Sequence, residues 1–125
     1  MSSKLLDMIG SSGKLYVMRF ILPDKTVYKI GMTSEPRATD RLMEIVRSYY
    51  NVYRETPIAK IMRYRSCDDV YAVEAMLHRY FKDYKCEFKK PFDGCTEIFE
   101  IDEEVVIDVY DRARDGEDFN NVFYK

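Results

Sequence analysis

Between Leu15 and Gly31 the chain carries the pattern of a β-hairpin, and that pattern constrains the fold more than any other segment. Leu15–Leu22 splits into two alternating rows, Tyr16, Met18, Phe20, Leu22 and Leu15, Val17, Arg19, Ile21. Both rows are largely apolar, as in a strand covered on both faces, which places it in the middle of a sheet. Pro23 and Asp24 supply a turn, and Val27–Gly31 reads as the partner strand. That partner ends in Lys29-Ile30-Gly31, and an arginine-rich helix start follows with Arg37 and Arg41. A phenol, an ammonium and a guanidinium thereby converge on one spot whose chemistry suits a phosphate.

The spacing turns helical from about Glu35 to Tyr50, with Leu42, Ile45, Val46, Tyr49 and Tyr50 on one stripe. Ser34 is the expected cap, and Pro36 suits the first turn. Pro57 introduces a third strand, Ile58–Arg65, expected to alternate strictly. Ile58, Lys60, Met62 and Tyr64 fall on one face, and Ala59, Ile61, Arg63 and Arg65 on the other. Asp68 or Asp69 caps a second helix over Val70–Tyr84, on which Glu74 and His78 stand four apart and so side by side. A basic loop, Lys85–Gly94, leads to a short strand over Thr96–Ile101. Glu103–Arg114 reads as a closing acidic helix, followed by a tail.

At 125 residues, 46% of them apolar, the chain is expected to form one domain with a real core. The organisation read here is a flexible segment over 1–13, a folded body over 14–101, and an acidic helix and tail over 102–125. The net charge of −2 conceals a segregation: residues 1–99 carry 17 basic and 13 acidic side chains, and residues 100–125 carry 3 and 9. Any nucleic-acid contact must therefore use a local patch, because the whole chain lacks a basic excess. The acidic segment either covers that patch or forms a solvated helix, and a protein partner for it stays open. No apolar run reaches membrane-spanning length and no signal-peptide core follows Met1, so a cytoplasmic location is expected, the host cytoplasm if the protein is viral. Cys67, Cys86 and Cys95 are odd in number and widely spaced, which argues for free thiols rather than a disulfide framework or a structural zinc.

Taken in order, Leu15-Tyr16-Val17, Lys29-Ile30-Gly31-Met32-Thr33, Arg41-Leu42, Ala72-Val73-Glu74-Ala75-Met76-Leu77-His78 and Glu97-Ile98-Phe99 resemble the GIY-YIG nuclease superfamily. The resemblance is to its phage and large-virus branch, often labelled a DNA-binding domain, and it covers roughly residues 14–101. It implies an α/β (α+β) fold with a small mixed central sheet flanked by helices. It also implies one divalent ion, Mg²⁺ or Mn²⁺, and hydrolysis of phosphodiester bonds in DNA. Two positions depart from the superfamily pattern. Lys29 stands where the second signature has tyrosine, with Tyr28 expected on the opposite face, and Ile45 stands where many nucleases carry histidine or tyrosine.

Phosphodiester hydrolysis needs an activated water and stabilisation of charge on the phosphoryl and leaving oxygens. The candidate catalytic residues are Tyr16, Lys29, Arg41, Glu74 and His78. Glu74 is the expected metal ligand, as a single carboxylate leaving the ion several waters. Tyr16 would position the attacking water or accept its proton, Arg41 would grip the phosphate as a planar fork, and Lys29 would act as a point charge on the phosphate or lower the phenol pKa of Tyr16. Arg37, Arg63, Arg65, Lys89 and Lys90 are candidates for the nucleic-acid backbone, with Tyr49, Tyr50, Tyr53 and Tyr64 as stacking surfaces. Three readings stay open: a DNA endonuclease, a catalytically inactive nucleic-acid-binding relative, and an acidic protein-interaction or inhibitor module.

Overall fold

The computed structural model describes residues 13–34 and 37–117. Residues 1–12 of the expected N-terminal segment 1–13, Glu35 and Pro36 of the expected helix start, and the end of the tail lie outside the described residues. Strands β1 (Lys14–Ile21) and β2 (Thr26–Thr33) form the hairpin, in register from Lys14 opposite Thr33 to Ile21 opposite Thr26. Helix α1 (Ala38–Tyr53) carries the chain back to β3 (Ile58–Ser66), which pairs with the other side of β1. Helix α2 (Val70–Tyr80) follows, then a two-residue strand β4 (Ile98–Phe99) on the outer edge of β2, then helix α3 (Glu103–Arg114). The sheet order is β3-β1-β2-β4.

This is the expected α+β fold, with β1 central and buried on both faces. One detail of the expectation is corrected: every pairing in the sheet is antiparallel, so the sheet is not mixed. After β2, the chain returns along α1 and β3 descends beside the ascending β1. The two descending strands, β2 and β3, are thus kept apart by β1 and never pair.

Each face of the sheet has its own core. Tyr16, Met18, Phe20 and Val27 pack with Ile45 and Tyr49 of α1 and with Phe92 and Ile98. Leu15, Val17, Tyr28 and Ile30 pack with Leu77, Phe81, Val106, Val109 and Tyr110 of the α2–α3 layer. Tyr28 therefore does face away from Lys29. Burial pushes its phenol up to about 12, with further help from a hydrogen bond to Glu103, so it stays protonated and donates to that carboxylate at 3.0 Å. Tyr110 donates from the core to the Leu15 carbonyl at 2.7 Å, tying α3 to the central strand.

Several boundaries move from their expected places. Arg37, extended at φ −127°, is the N-cap of α1, and the helix begins at Ala38, so Ser34 lies too far upstream to cap it. Asp69 occupies the cap position of α2, but in the left-handed region at φ 54° and with no side-chain cap bond. The second helix ends at Tyr80, and a 3₁₀ turn over Lys82–Tyr84 swings the chain round so that Lys85 lies against Phe99. In β3 a bulge opposite Val17 and Met18 breaks the strict alternation, because Ile61 pairs with Met18 and Arg63 with Val17. Ile61 and Tyr64 consequently share the α1 face, while Arg63 points to the α3 face.

Candidate active site

The site arises from an unfinished sheet edge. Strand β4 pairs only with Tyr28 and Lys29, so beyond it the edge of β2 has no strand neighbour. An edge strand leaves its N–H and C=O groups in need of partners. Helix α2 supplies them from two side chains one turn apart. The Met32 N–H donates to the Glu74 carboxylate, and His78 Nε2 lies 2.6 Å from the Ile30 carbonyl oxygen. A carbonyl only accepts, so Nε2 carries the proton and the lone pair of His78 sits on Nδ1. Capping the edge in this way brings Glu74 round from the α2 layer to the end of the sheet where Lys29 lies.

Tyr16 and Gly31 are directly opposed in the hairpin, and the phenol of Tyr16 leans across the glycine. A Cβ on Gly31 would stand 2.4 Å from the Tyr16 hydroxyl and 2.8 Å from Lys29 Nζ. Only glycine leaves room for both groups. Gly94 closes the other side: at φ +80° it adopts a glycine conformation, and a Cβ there would meet Lys29 Cε at 2.5 Å. Between these two walls Lys29 is 1% exposed. Its ammonium donates to the Tyr16 hydroxyl at 2.8 Å and to Glu97 at 2.6 Å. Burial of a charge at this depth requires such pairing. Arg41, reaching in from α1, also hydrogen-bonds the Tyr16 hydroxyl and holds Glu44 at 3.1 Å.

Tyr16, Lys29, Arg41 and Glu74 thus meet at one place, as their sequence pattern implies. Of the two places open to Lys29, on a phosphate or against the Tyr16 phenol, the structure puts it against the phenol. It is sealed beneath Tyr16 and Glu97, bonded to both. Burial raises the Glu74 carboxyl above its ordinary range, and the neighbouring Glu97 raises it further; His78, Lys29 and the Met32 N–H oppose the shift.

Glu97 is a further residue that the structure brings to the candidate site. It stands in the closing Glu-Ile-Phe motif but was not assigned a role, because it lies in a 3₁₀ turn, Cys95–Glu97, whose direction no periodicity predicts. Glu74, His78 and Glu97 offer ligand atoms that all lie within 4.8 Å of one another. Two carboxylates and an imidazole nitrogen are a donor set of the kind a divalent cation takes. Any coordination by His78 falls to Nδ1, with the Nε2–carbonyl bond holding the ring in orientation.

The basic candidates divide between the two faces. Arg37 is exposed at the start of α1, one turn before Arg41. Lys89 and Lys90 are exposed on the loop that packs against α1, where Tyr53 both donates to the Lys90 carbonyl and accepts from its N–H. Arg63 and Arg65 instead turn to the α3 face, where Asp111 meets them at 3.1 and 3.8 Å. The bulge in β3 sets both on the face away from Tyr16. Tyr49 is buried and stacked on Tyr53, and Tyr64 packs in the α1-side core. Tyr50 is exposed rather than part of the buried stripe, with the Arg54 guanidinium over its ring. The acidic helix α3 packs on the face opposite Tyr16, so it does not cover the site. The three cysteines are free, as expected. Among the described residues no helix is long and apolar enough to cross a membrane.

The family model of the T5orf172 domain matches residues 13–114, the whole of the sheet and its three helices. No curated protein and no solved structure matches the chain.

Proposed function

The chain belongs to the T5orf172 domain family, and from that premise we propose that it binds DNA and hydrolyses its phosphodiester bonds at the Tyr16–Lys29–Arg41–Glu74 site with Mg²⁺ or Mn²⁺. The domain is associated with nuclease-related phage proteins, which supports a nuclease-like or DNA-binding role. The observation that carries the finer reading is the convergence of a phenol, two cations and a carboxylate pair around one sheet edge, with glycines at 31 and 94 giving Tyr16 and Lys29 the room to reach it.

Each residue has a physical task. Arg41 presents a planar fork to two phosphoryl oxygens, a geometry lysine lacks. The Tyr16 oxygen accepts from both Lys29 and Arg41, which fills its lone pairs and leaves its O–H to orient the attacking water. Lys29 positions that phenol. Glu74, with Glu97 and His78 beside it, would hold the divalent ion. When bound, such an ion lowers the pKa of a coordinated water and stabilises charge on the phosphoryl and leaving oxygens. Arg37, Lys89 and Lys90 lie on the α1 side and would contact the flanking backbone.

The observation favouring a binding-only relative is Lys29, which brings a buried ion pair with Glu97 where the superfamily pattern places a phenol. A single substitution separates the two. Arg41→Lys keeps the charge and loses the fork, so cleavage of a plasmid is expected to fall by about 10- to 100-fold while binding falls far less. Wild-type protein that binds DNA and leaves it intact with either metal would establish the binding-only reading.

A further inference from the structure

Glu97 has two claims on it. Its Oε1 is 2.6 Å from the Lys29 ammonium, and it also belongs to the Glu74–His78–Glu97 group. These claims are mechanically opposed. A divalent ion held by the three ligands would lie against the same carboxylate as the Lys29 ammonium and repel it, so Glu97 must turn from one cation to take the other. Lys29 has no freedom to follow. Its stem and ammonium are confined where Cβ atoms on Gly94 and Gly31 would stand within 2.5 and 2.8 Å. Glu97 is the more mobile partner, since its side chain is 31% exposed and it sits in a 3₁₀ turn.

Charge points the same way. Two carboxylates face each other at the sheet edge, and the buried ammonium already offsets one of them. A lysine on β2 thus performs from inside the protein part of what a bound cation would perform from outside.

We propose that Lys29 is a tethered cation that competes with a divalent ion for the carboxylate of Glu97, and so sets how tightly the site takes its metal. The proposal rests on Glu74 being a metal ligand, and it gives the departure at position 29 a role separate from phosphate binding. Metal enters as Glu97 exchanges Lys29 for the ion. Lys29 keeps its bond to Tyr16 throughout, so metal loading and the placement of the phenol are coupled through one side chain.

The test is Mn²⁺ binding by the full chain without DNA, read as loss of the free-ion signal in electron paramagnetic resonance. Lys29→Gln removes the charge and can still hydrogen-bond Tyr16, and circular dichroism checks its fold. Lys29→Met gives a second, independent variant. Both should bind Mn²⁺ at least ~10-fold more tightly than wild type, within the range usual for coupling between two ligands. Adding Glu97→Gln to Lys29→Gln should abolish that gain. Unchanged or weaker Mn²⁺ binding in both Lys29 variants overturns the proposal. So does a gain that survives in the Lys29→Gln/Glu97→Gln pair, since the effect would then not pass through Glu97. Glu74→Gln alone tests the underlying assignment: if it binds Mn²⁺ as wild type does, Glu74 is not the ligand, whatever the Lys29 variants show.

Discussion

Glu74 is held ionisable in a place that resists its charge. Burial, followed by the field of Glu97, raises its carboxyl above the ordinary carboxylate range. A carboxyl with a raised folded pKa costs stability when ionised: the cost is present above the folded pKa and disappears once pH falls below the unfolded value. Glu74→Gln should therefore raise the melting temperature at pH 7, and the difference should shrink as pH is lowered toward about 4.5. Thermal melts of both proteins across that range check the sign. Such a gain is expected where function places a group against stability. The residues of this site were legible to differing degrees. Tyr16 and Lys29 followed from strand alternation, and Glu74 with His78 from helical spacing. Glu97 was not legible, because a 3₁₀ turn has no repeat long enough to project a direction. The face taken by Arg63 and Arg65 was not legible either, since one bulged residue reverses every later side chain on a strand.

The elements themselves were clear wherever a long apolar pattern supported them. Both hairpin strands, the third strand and α3 fall where their periodicity places them. The uncertainties were at ends, where Phe81 and the 3₁₀ turn after it shorten α2 and where β4 contracts to two residues. That contraction matters, because a longer β4 would have covered Ile30 and Met32 and left Glu74 and His78 with nothing to cap. The layer behind the site depends on α3, and its anchor is the Tyr110 hydroxyl on the Leu15 carbonyl. Tyr110→Phe leaves that buried acceptor unpaired and should cost about 1–3 kcal/mol. Denaturant melts should show the loss without a change in cleavage rate, because Tyr110 lies on the far side of β1 from the site.

Over the whole molecule, the sheet separates two chemistries. The α1 side carries Arg37, Arg41, Lys89 and Lys90, and the other side carries α3, whose carboxylates meet Arg19, Arg63 and Arg65. The acidic C-terminal region, which composition alone left as either a shield or a solvated helix, is for its described part a packed helix on the opposite face. This arrangement predicts which cations face a phosphate backbone. Each phosphate contact contributes about 0.9 to the slope of log affinity against log salt. Replacing Lys89 and Lys90 with alanine should flatten that slope by about 2, and replacing Arg63 and Arg65 should leave it unchanged. Fluorescence anisotropy with labelled duplex across a salt series distinguishes these outcomes. The central claim is that the edge of β2 houses a metal-dependent site for cutting DNA, and single-turnover plasmid cleavage with Mg²⁺ and with Mn²⁺ tests it most directly. Wild-type protein should nick or cut the DNA, chelator should abolish the reaction, and Glu74→Gln, folded by circular dichroism, should be slower by at least ~100-fold. Undiminished cleavage by Glu74→Gln, or intact plasmid with the wild type under both metals, would contradict it.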